Sequence, residues 1–349
     1  MSQAADIILR SPYPWFGGKR SIAPVIWDRI GDVRNFVDPF FGSGAVLLSR
    51  PHWPFAETRT ETVNDLDGMV ANFWRALQVA PDEVAHHADW PVNECDLHAR
   101  HLWLVNEGRR HVERLKTETD YFDAKIAGWW VWGCCQWIGS GWCEHPEWKP
   151  SQKRPHLGNA GRGVHRPSQK LPHLGNAGMG VHRPSQQLPH LGNAGRGELH
   201  EYMAALAERM RRVRVCCGDW SRVCGPTPTV KQGLTGVVLD PPYLQTERYS
   251  ELYAIETNVS AAVRQWCIEM GGDKRIRIAL CGYEGEGHEE LEALGWDVFD
   301  WKARGGYGSQ GNGTDGVDNA KRERIWFSPH CLRPAGESYD LFAGTSDAE

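Results

Sequence analysis

The sequence predicts an α/β fold built on a mostly parallel, doubly wound sheet with an inserted region. Three observations predict it. Short apolar runs alternate with helical patterns on both sides of a polar middle. Two of those runs, ending at Asp38 and at Leu239, stop in turns rich in glycine or proline. The middle itself, Pro150–His200, is a tandem repeat whose glycines and prolines exclude long helices and central strands.

Taken in order, Val33–Asp38 reads as a strand that runs into Phe40-Phe41-Gly42-Ser43-Gly44 and a helix. Thr60–Val63 reads as a second strand, followed by an amphipathic helix through Met69–Leu77. Helical patterns continue from about Leu97 to Ile138. Three copies of a 17-residue unit follow, PSQKRPHLGNAGRGVHR at Pro150–Arg166, PSQKLPHLGNAGMGVHR at Pro167–Arg183 and PSQQLPHLGNAGRGELH at Pro184–His200. A unit this short with few apolar anchors makes a poor solenoid, so each copy is expected to be a basic loop with turns. Beyond it come a helix at Glu198–Arg212 and strands at Val213–Cys216, Val237–Leu239, Ile276–Leu280 and Asp297–Trp301. Arg324–Phe327 is expected to close a terminal hairpin.

Composition narrows the setting. No run approaches the roughly 20 apolar residues that span a bilayer, and Met1–Arg10 lacks the pattern of a secretory leader. A cytoplasmic protein without membrane contact is expected, its ten cysteines reduced. Cys134, Cys135, Cys143 and His145 match no familiar zinc spacing, so no metal is assigned. Most of the 17 tryptophans are expected in cores, with a few left to stack on bases. The net charge is −5, yet Lys149–Arg214 alone carries +9. The remainder holds −14, the difference between the two. A basic segment on an acidic body suits a local phosphate-contacting surface, although a solvated basic loop would look the same.

Two strand ends carry the chemistry. At the first, Gly42 and Gly44 let backbone approach a ligand while the next helix presents its N-terminus. Asp65, at the end of the second strand, has the carboxylate that two ribose hydroxyls need; it could equally cap the following helix. At the second, Asp240-Pro241-Pro242-Tyr243 leaves the Asp240 carboxylate and the Pro241 carbonyl as acceptors with no N–H on either proline. Two acceptors suit an exocyclic NH2 with its two donors, and Tyr243 offers a face for an unstacked base. A plain strand-ending turn is the simpler alternative.

PWFGGKR (Pro14–Arg20), DPFFGSGAV (Asp38–Val46), VNDLD (Val63–Asp67), CGDW (Cys217–Trp220), DPPY (Asp240–Tyr243) and KRERIWFSP (Lys321–Pro329) occur in the order of the Dam-type adenine-N6 DNA methyltransferases, which this chain resembles over residues 12–149 and 198–330. The resemblance implies a Rossmann-like methyltransferase sheet and S-adenosylmethionine as methyl donor. It implies that Trp15 and Lys19 hold the methionine part and that Gly42–Gly44 cradle it. Asp38 and Phe40 would belong to the same cofactor site, Asp65 would bind the ribose, and Asp219 with Trp220 would border the adenine. Asp240, Pro241, Pro242 and Tyr243 would hold the target base. Asp38 departs from the glutamate common in the family. Read alone, Lys19 fits a surface lysine, Trp15 a core residue and Asp219 a turn cap.

The resemblance also implies a division of labour. Residues 1–80 and 201–349 would form the catalytic domain, and residues 81–200 a helical target-recognition region that docks on double-stranded DNA. Arg248 and Tyr249 could close over the rotated base, and Gly305–Gly316 is expected to order on DNA. A bacterial or phage-infected cell is the implied setting, with a cognate restriction nuclease as a conceivable partner and the oligomeric state open. Two rivals stand beside this reading: a cytosine-N4 or RNA methyltransferase of the same fold, and a non-catalytic DNA-binding or assembly protein.

Overall fold

The computed structural model describes residues 9–15, 17–55, 57–137, 142–143, 196–242, 250–301 and 322–333, with the side chains of 196–198 and 250–258 left aside. The elements in chain order begin with α1 (Ala23–Ile30), β1 (Asn35–Asp38), α2 (Ala45–Leu48), β2 (Thr60–Asp65) and α3 (Gly68–Val79). Then come α4 (Pro81–Ala88), α5 (Glu94–Trp103), α6 (Arg109–Val112), α7 (Ala124–Gln136), α8 (Arg196–Met210) and β3 (Arg214–Cys217). The last group is α9 (Ser221–Cys224), β4 (Thr235–Leu239), α10 (Ser250–Met270), β5 (Ile276–Tyr283), β6 (Asp297–Asp300) and β7 (Glu323–Phe327). The seven strands form one sheet in the order β3-β2-β1-β4-β5-β7-β6.

This is the mixed, mostly parallel α/β sheet that the sequence predicts. β1 runs parallel to β2 and β4, β4 runs parallel to β5, and β7 is antiparallel to both β5 and β6. Apolar, β-branched runs such as Val237-Val238-Leu239 form strands because both faces are buried. The predicted terminal hairpin therefore exists, with β7 inserted between β5 and β6. Among the described residues no helix is long and apolar enough to cross a membrane.

The chain divides into two compact units. One comprises residues 19–41, 45–64 and 219–349. Its core holds Trp27, Phe36, Val37, Val237, Ile278 and Phe327, all buried. Gly236 lets α1 come close to β4, since a Cβ there would lie 2.5 Å from Ile30 Cγ2. A buried ion pair, Arg50 Nη1 to Glu61 Oε1 at 2.9 Å, ties the end of α2 to β2, and Arg50 also donates to the Val33 carbonyl. Asn35 Nδ2 donates to the Pro228 carbonyl and to Thr235 Oγ1, which fixes the starts of β1 and β4 together.

The other unit comprises residues 1–18, 42–44 and 65–218. Here α7 packs against α3, α4 and α5, and α8 against α3 and α4. Asp67, Asn93 and Asp123 accept N–H bonds at the starts of α3, α5 and α7. Gln78 donates to the Met210 and Val213 carbonyls at the end of α8. Much of the tryptophan lies in this core: Trp74, Trp130, Trp132 and Trp137 are buried. The ten cysteines are thiols.

Several expectations fall on other residues. The repeats up to residue 195, His145, Tyr243, Arg248, Tyr249 and Gly305–Gly316 lie outside the described residues. The end of the third copy, residues 196–200, is already helical as the start of α8, which takes in Gly197 and continues through a run without Gly or Pro.

Candidate active site

Sheet order reverses between β1 and β4, the position where open α/β sheets hold ligands beyond the strand ends. The unit containing residues 19–41 and 219–349 supplies two carboxylates there, Asp38 at the end of β1 and Asp240 directly after β4. Asp38 is buried, and the Phe40 N–H points at its Oδ1 at 3.3 Å. The following turn is fixed from the second strand, since Phe41 N–H donates to the Asn64 carbonyl and Asn64 Nδ2 to the Pro39 carbonyl.

Asp240 is paired with Lys19, Nζ to Oδ1 at 2.9 Å. The lysine side chain is 3% exposed and the carboxylate 23%. Burial opposes the Lys19 charge, but the Asp240 carboxylate, with Cys281 and Glu323 nearby, more than offsets it and holds the ammonium above its ordinary range. The surface-lysine alternative is thereby excluded. Pro241 is buried and Pro242 exposed, so the chain leaves the sheet at this point.

Two rings accompany these groups. Phe40 and Trp220 stack with centroids 6.2 Å apart and planes at 26°, and Trp220 is buried. Asp219 is exposed, and its Oδ1 accepts from the Ser221 N–H at 2.9 Å and from Ser221 Oγ at 2.5 Å. Its carboxylate therefore closes the turn into α9.

In the other unit the Gly42 peptide is held at three points. Its carbonyl accepts from Tyr13 Oη at 2.7 Å and from Trp74 Nε1 at 2.9 Å, while its N–H donates to Asp65 Oδ2 at 2.9 Å. Gly42 has φ +47°, and a Cβ would lie 2.4 Å from Trp15 Nε1, so only glycine fits beneath that indole. Trp15 is 39% exposed, a ring lying on the glycine turn and open on its other side. Gly44 also takes positive φ, +73°.

Asp65 does not cap α3; Asp67 does, accepting from the Met69 N–H at 2.8 Å. Asp65 instead receives Gly42 N–H on Oδ2 and Asp67 N–H on Oδ1, which aims its carboxylate. Burial pushes this carboxyl up to about 7, against the pull of those two N–H groups.

Within one unit, the aimed Asp65 carboxylate beside a glycine turn suits a ribose diol; within the other, the stacked Phe40 and Trp220 rings suit an adenine face. Among the described residues no cluster of three His, Cys, Asp or Glu offers metal-ligand geometry.

Residues the sequence reading did not single out complete the picture. Tyr13 and Trp74 anchor Gly42, and Cys281, Tyr283 and Glu323 surround the Lys19–Asp240 pair electrostatically. A carboxylate opening an otherwise apolar strand, Glu323 before Ile325-Trp326-Phe327, was the available signal.

The seven-stranded, mostly parallel sheet, its order reversing between β1 and β4, is that of a Rossmann-like methyltransferase fold. Residues 15–96 match the model of the D12 class N6 adenine-specific DNA methyltransferase family. By that match, and in agreement with the Dam-type resemblance, the chain is an adenine-specific DNA methyltransferase. The matched segment holds Trp15, Lys19, Asp38, Gly42 and Asp65 and ends before Asp240. No curated protein matches the chain.

Proposed function

We propose that the chain transfers the methyl group of S-adenosylmethionine to N6 of an adenine rotated out of double-stranded DNA. The observation that carries the proposal is the Asp240 carboxylate, at the carboxyl end of β4 where the strand order reverses, fixed by a buried lysine 2.9 Å away. When bound, the cofactor supplies an electrophilic methyl on a positively charged sulfur.

The chain's own groups do the rest. Trp15, Lys19, Asp38, Phe40, Gly42, Gly44, Asp65, Asp219 and Trp220 are assigned to cofactor binding. Asp240 and the Pro241 carbonyl accept from the two N–H bonds of the target amine and aim its lone pair. Pro242 lacks the N–H that would compete, and Tyr243 is assigned to the face of the base. Lys19 fixes the direction of the Asp240 carboxylate, which also stabilises positive charge growing on the nitrogen. Rotating the base out costs about a few kcal/mol, and positioning of the amine supplies much of the acceleration.

Residues 1–80 and 201–349 are assigned to catalysis and residues 81–200 to target recognition. The +9 charge of Lys149–Arg214 supports contact with phosphates by that region.

The test is nucleoside mass spectrometry of mixed-sequence duplex DNA after incubation with the protein and S-adenosylmethionine. N6-methyladenine is expected, and it should vanish in Asp240→Asn. N4-methylcytosine would overturn the base assignment while keeping the strand-end chemistry. Absence of product on all duplex sequences, with cofactor binding intact, would overturn the proposal.

A further inference from the structure

Two strand registers put a row of groups on one face of the sheet at the ends of β4 and β5. Continuing the Leu239–Leu280 register by one residue sets Asp240 beside Cys281. Cys281 and Tyr283 share that face, being two residues apart on β5. Tyr283 is in turn the partner of Glu323, the first residue of β7. Lys19 interacts with both ends of the row, pairing with Asp240 and attracted by Glu323. Glu323 is 6% exposed, and its Oε2 has no hydrogen-bond partner among the described residues. A buried carboxylate with an unpaired oxygen is costly, and it persists where it does something besides packing.

We propose that Glu323 is a positioning residue for methyl transfer, acting on the Asp240 carboxylate through the Lys19 ammonium that both carboxylates attract. The inference rests on the reading in which Asp240 holds the target amine. When Glu323 carries its proton, Lys19 is drawn more fully to Asp240 and takes electron density from the acceptor that the amine needs. When Glu323 releases that proton to solvent, Lys19 is divided between two carboxylates and Asp240 accepts more strongly. Glu323 forms and breaks no bond to the base; its own O–H is the only bond involved.

Burial pushes the Glu323 carboxyl up to about 7, Lys19 pulling it down and Asp240 pushing it further up. Burial holds the Cys281 thiol well above its usual range and brings Tyr283 up to about 12. On its own strand, Arg324 pairs with Glu284 and Asp300, and Arg322 donates to the Glu284 carbonyl. His288 Nε2 lies 3.6 Å from Glu286 Oε2.

The experiment is kcat against pH for methylation of duplex DNA at saturating S-adenosylmethionine, comparing the wild type, Glu323→Gln and Glu323→Asp. In the wild type kcat should rise with pH through an apparent pKa near 7. Glu323→Gln should lose that limb and stay about tenfold slower at pH 8, the low end for weakening a hydrogen bond to a charged group. Its KM for S-adenosylmethionine should not move, and Glu323→Asp should regain the limb. A wild type without the limb, or a Glu323→Gln enzyme that keeps it, would overturn the inference. If Glu323→Gln does not fold, an Asp variant whose limb does not shift overturns it as well. Full turnover in Asp240→Asn would instead overturn the Asp240 reading, so the two failures are distinct.

Discussion

Lys19 Nζ stands 2.9 Å from Asp240 Oδ1, and of the two side chains only the carboxylate retains appreciable exposure. The pair therefore has two consequences when it is broken. Asp240→Ala strands a buried ammonium, and loss of one partner of a buried pair costs up to about 3–5 kcal/mol. Asp240→Asn keeps an acceptor oxygen for Lys19 and should cost about 1–2 kcal/mol. Both should lose turnover, but only the alanine variant should show a large drop in denaturant midpoint. Equal midpoints would mean that Lys19 finds its compensation elsewhere, in Glu323. The Lys19 ammonium is held above its ordinary range, so its stabilisation is present throughout neutral pH and is lost only at strongly alkaline pH.

Asp65 gives a pH dependence of the opposite sign to an ordinary salt-bridged aspartate. Its folded-state carboxyl is raised from 3.8 to about 7. Between those values the folded chain binds a proton that the unfolded chain does not, so stability should fall as pH rises from about 4 to 7. Glu323, also raised to about 7, adds to the same decline. Asp65→Asn should make the decline shallower. It should also be destabilised at pH 5, because its amide faces the Gly42 N–H, and the gap to wild type should narrow by pH 8. Denaturation midpoints across this range measure it; parallel wild-type and variant curves would show that Asp65 stays ionised throughout.

The strand ends were legible because punctuation is local. Asp38-Pro39 and Asp240-Pro241-Pro242 stop their strands through residues whose backbone cannot continue a ladder, and the structure ends β1 and β4 there. The motif glycines were legible for the same reason. The Lys19–Asp240 pair was not, since its members stand 221 positions apart and nothing local announces that Lys19 is buried. Glu323 was harder still, because its place follows from two registers and an antiparallel strand inserted between β5 and β6. Asp65 was read as a ribose ligand or a helix cap, and the cap turned out to be Asp67, two residues on. A two-residue shift in a helix start lies below what sequence pattern resolves.

The tryptophan-rich stretch yields a stability prediction. Arg100, 6% exposed, lies 5.2, 5.0 and 4.4 Å from the ring centroids of Trp90, Trp129 and Trp132. Burial brings the guanidinium down to about 10 while Asp96 resists the fall. A planar cation stacks on several rings at once, whereas an ammonium is a more strongly hydrated point charge. Arg100→Lys should therefore destabilise by about 1–2 kcal/mol. Arg100→Met, which keeps the volume without the charge to desolvate, should cost no more than the lysine variant. Chemical denaturation of the two variants decides it, and a lysine variant as stable as wild type would reduce the cage to hydrophobic packing.

Gly42 tests the link between backbone geometry and cofactor binding. At φ +47° an alanine incurs about 1 kcal/mol of backbone strain before any contact is counted. Its Cβ would also meet Trp15 Nε1 at 2.4 Å and Cδ1 at 2.7 Å, and the Gly42 peptide cannot retreat because Tyr13, Trp74 and Asp65 hold both its carbonyl and its N–H. The indole is the mobile partner, being 39% exposed. Gly42→Ala should therefore fold with a modest loss of stability, displace Trp15, and weaken S-adenosylmethionine binding by about tenfold or more, as loss of one well-packed aromatic contact would. Trp15→Ala in the Gly42→Ala background should recover the part of the stability lost to the clash, though not the backbone strain, without restoring affinity. Titration calorimetry with S-adenosylmethionine reads the second quantity and thermal denaturation the first. If the double variant recovered affinity as well, the glycine turn would be a steric accommodation for tryptophan alone and Trp15 would have no part in holding the cofactor.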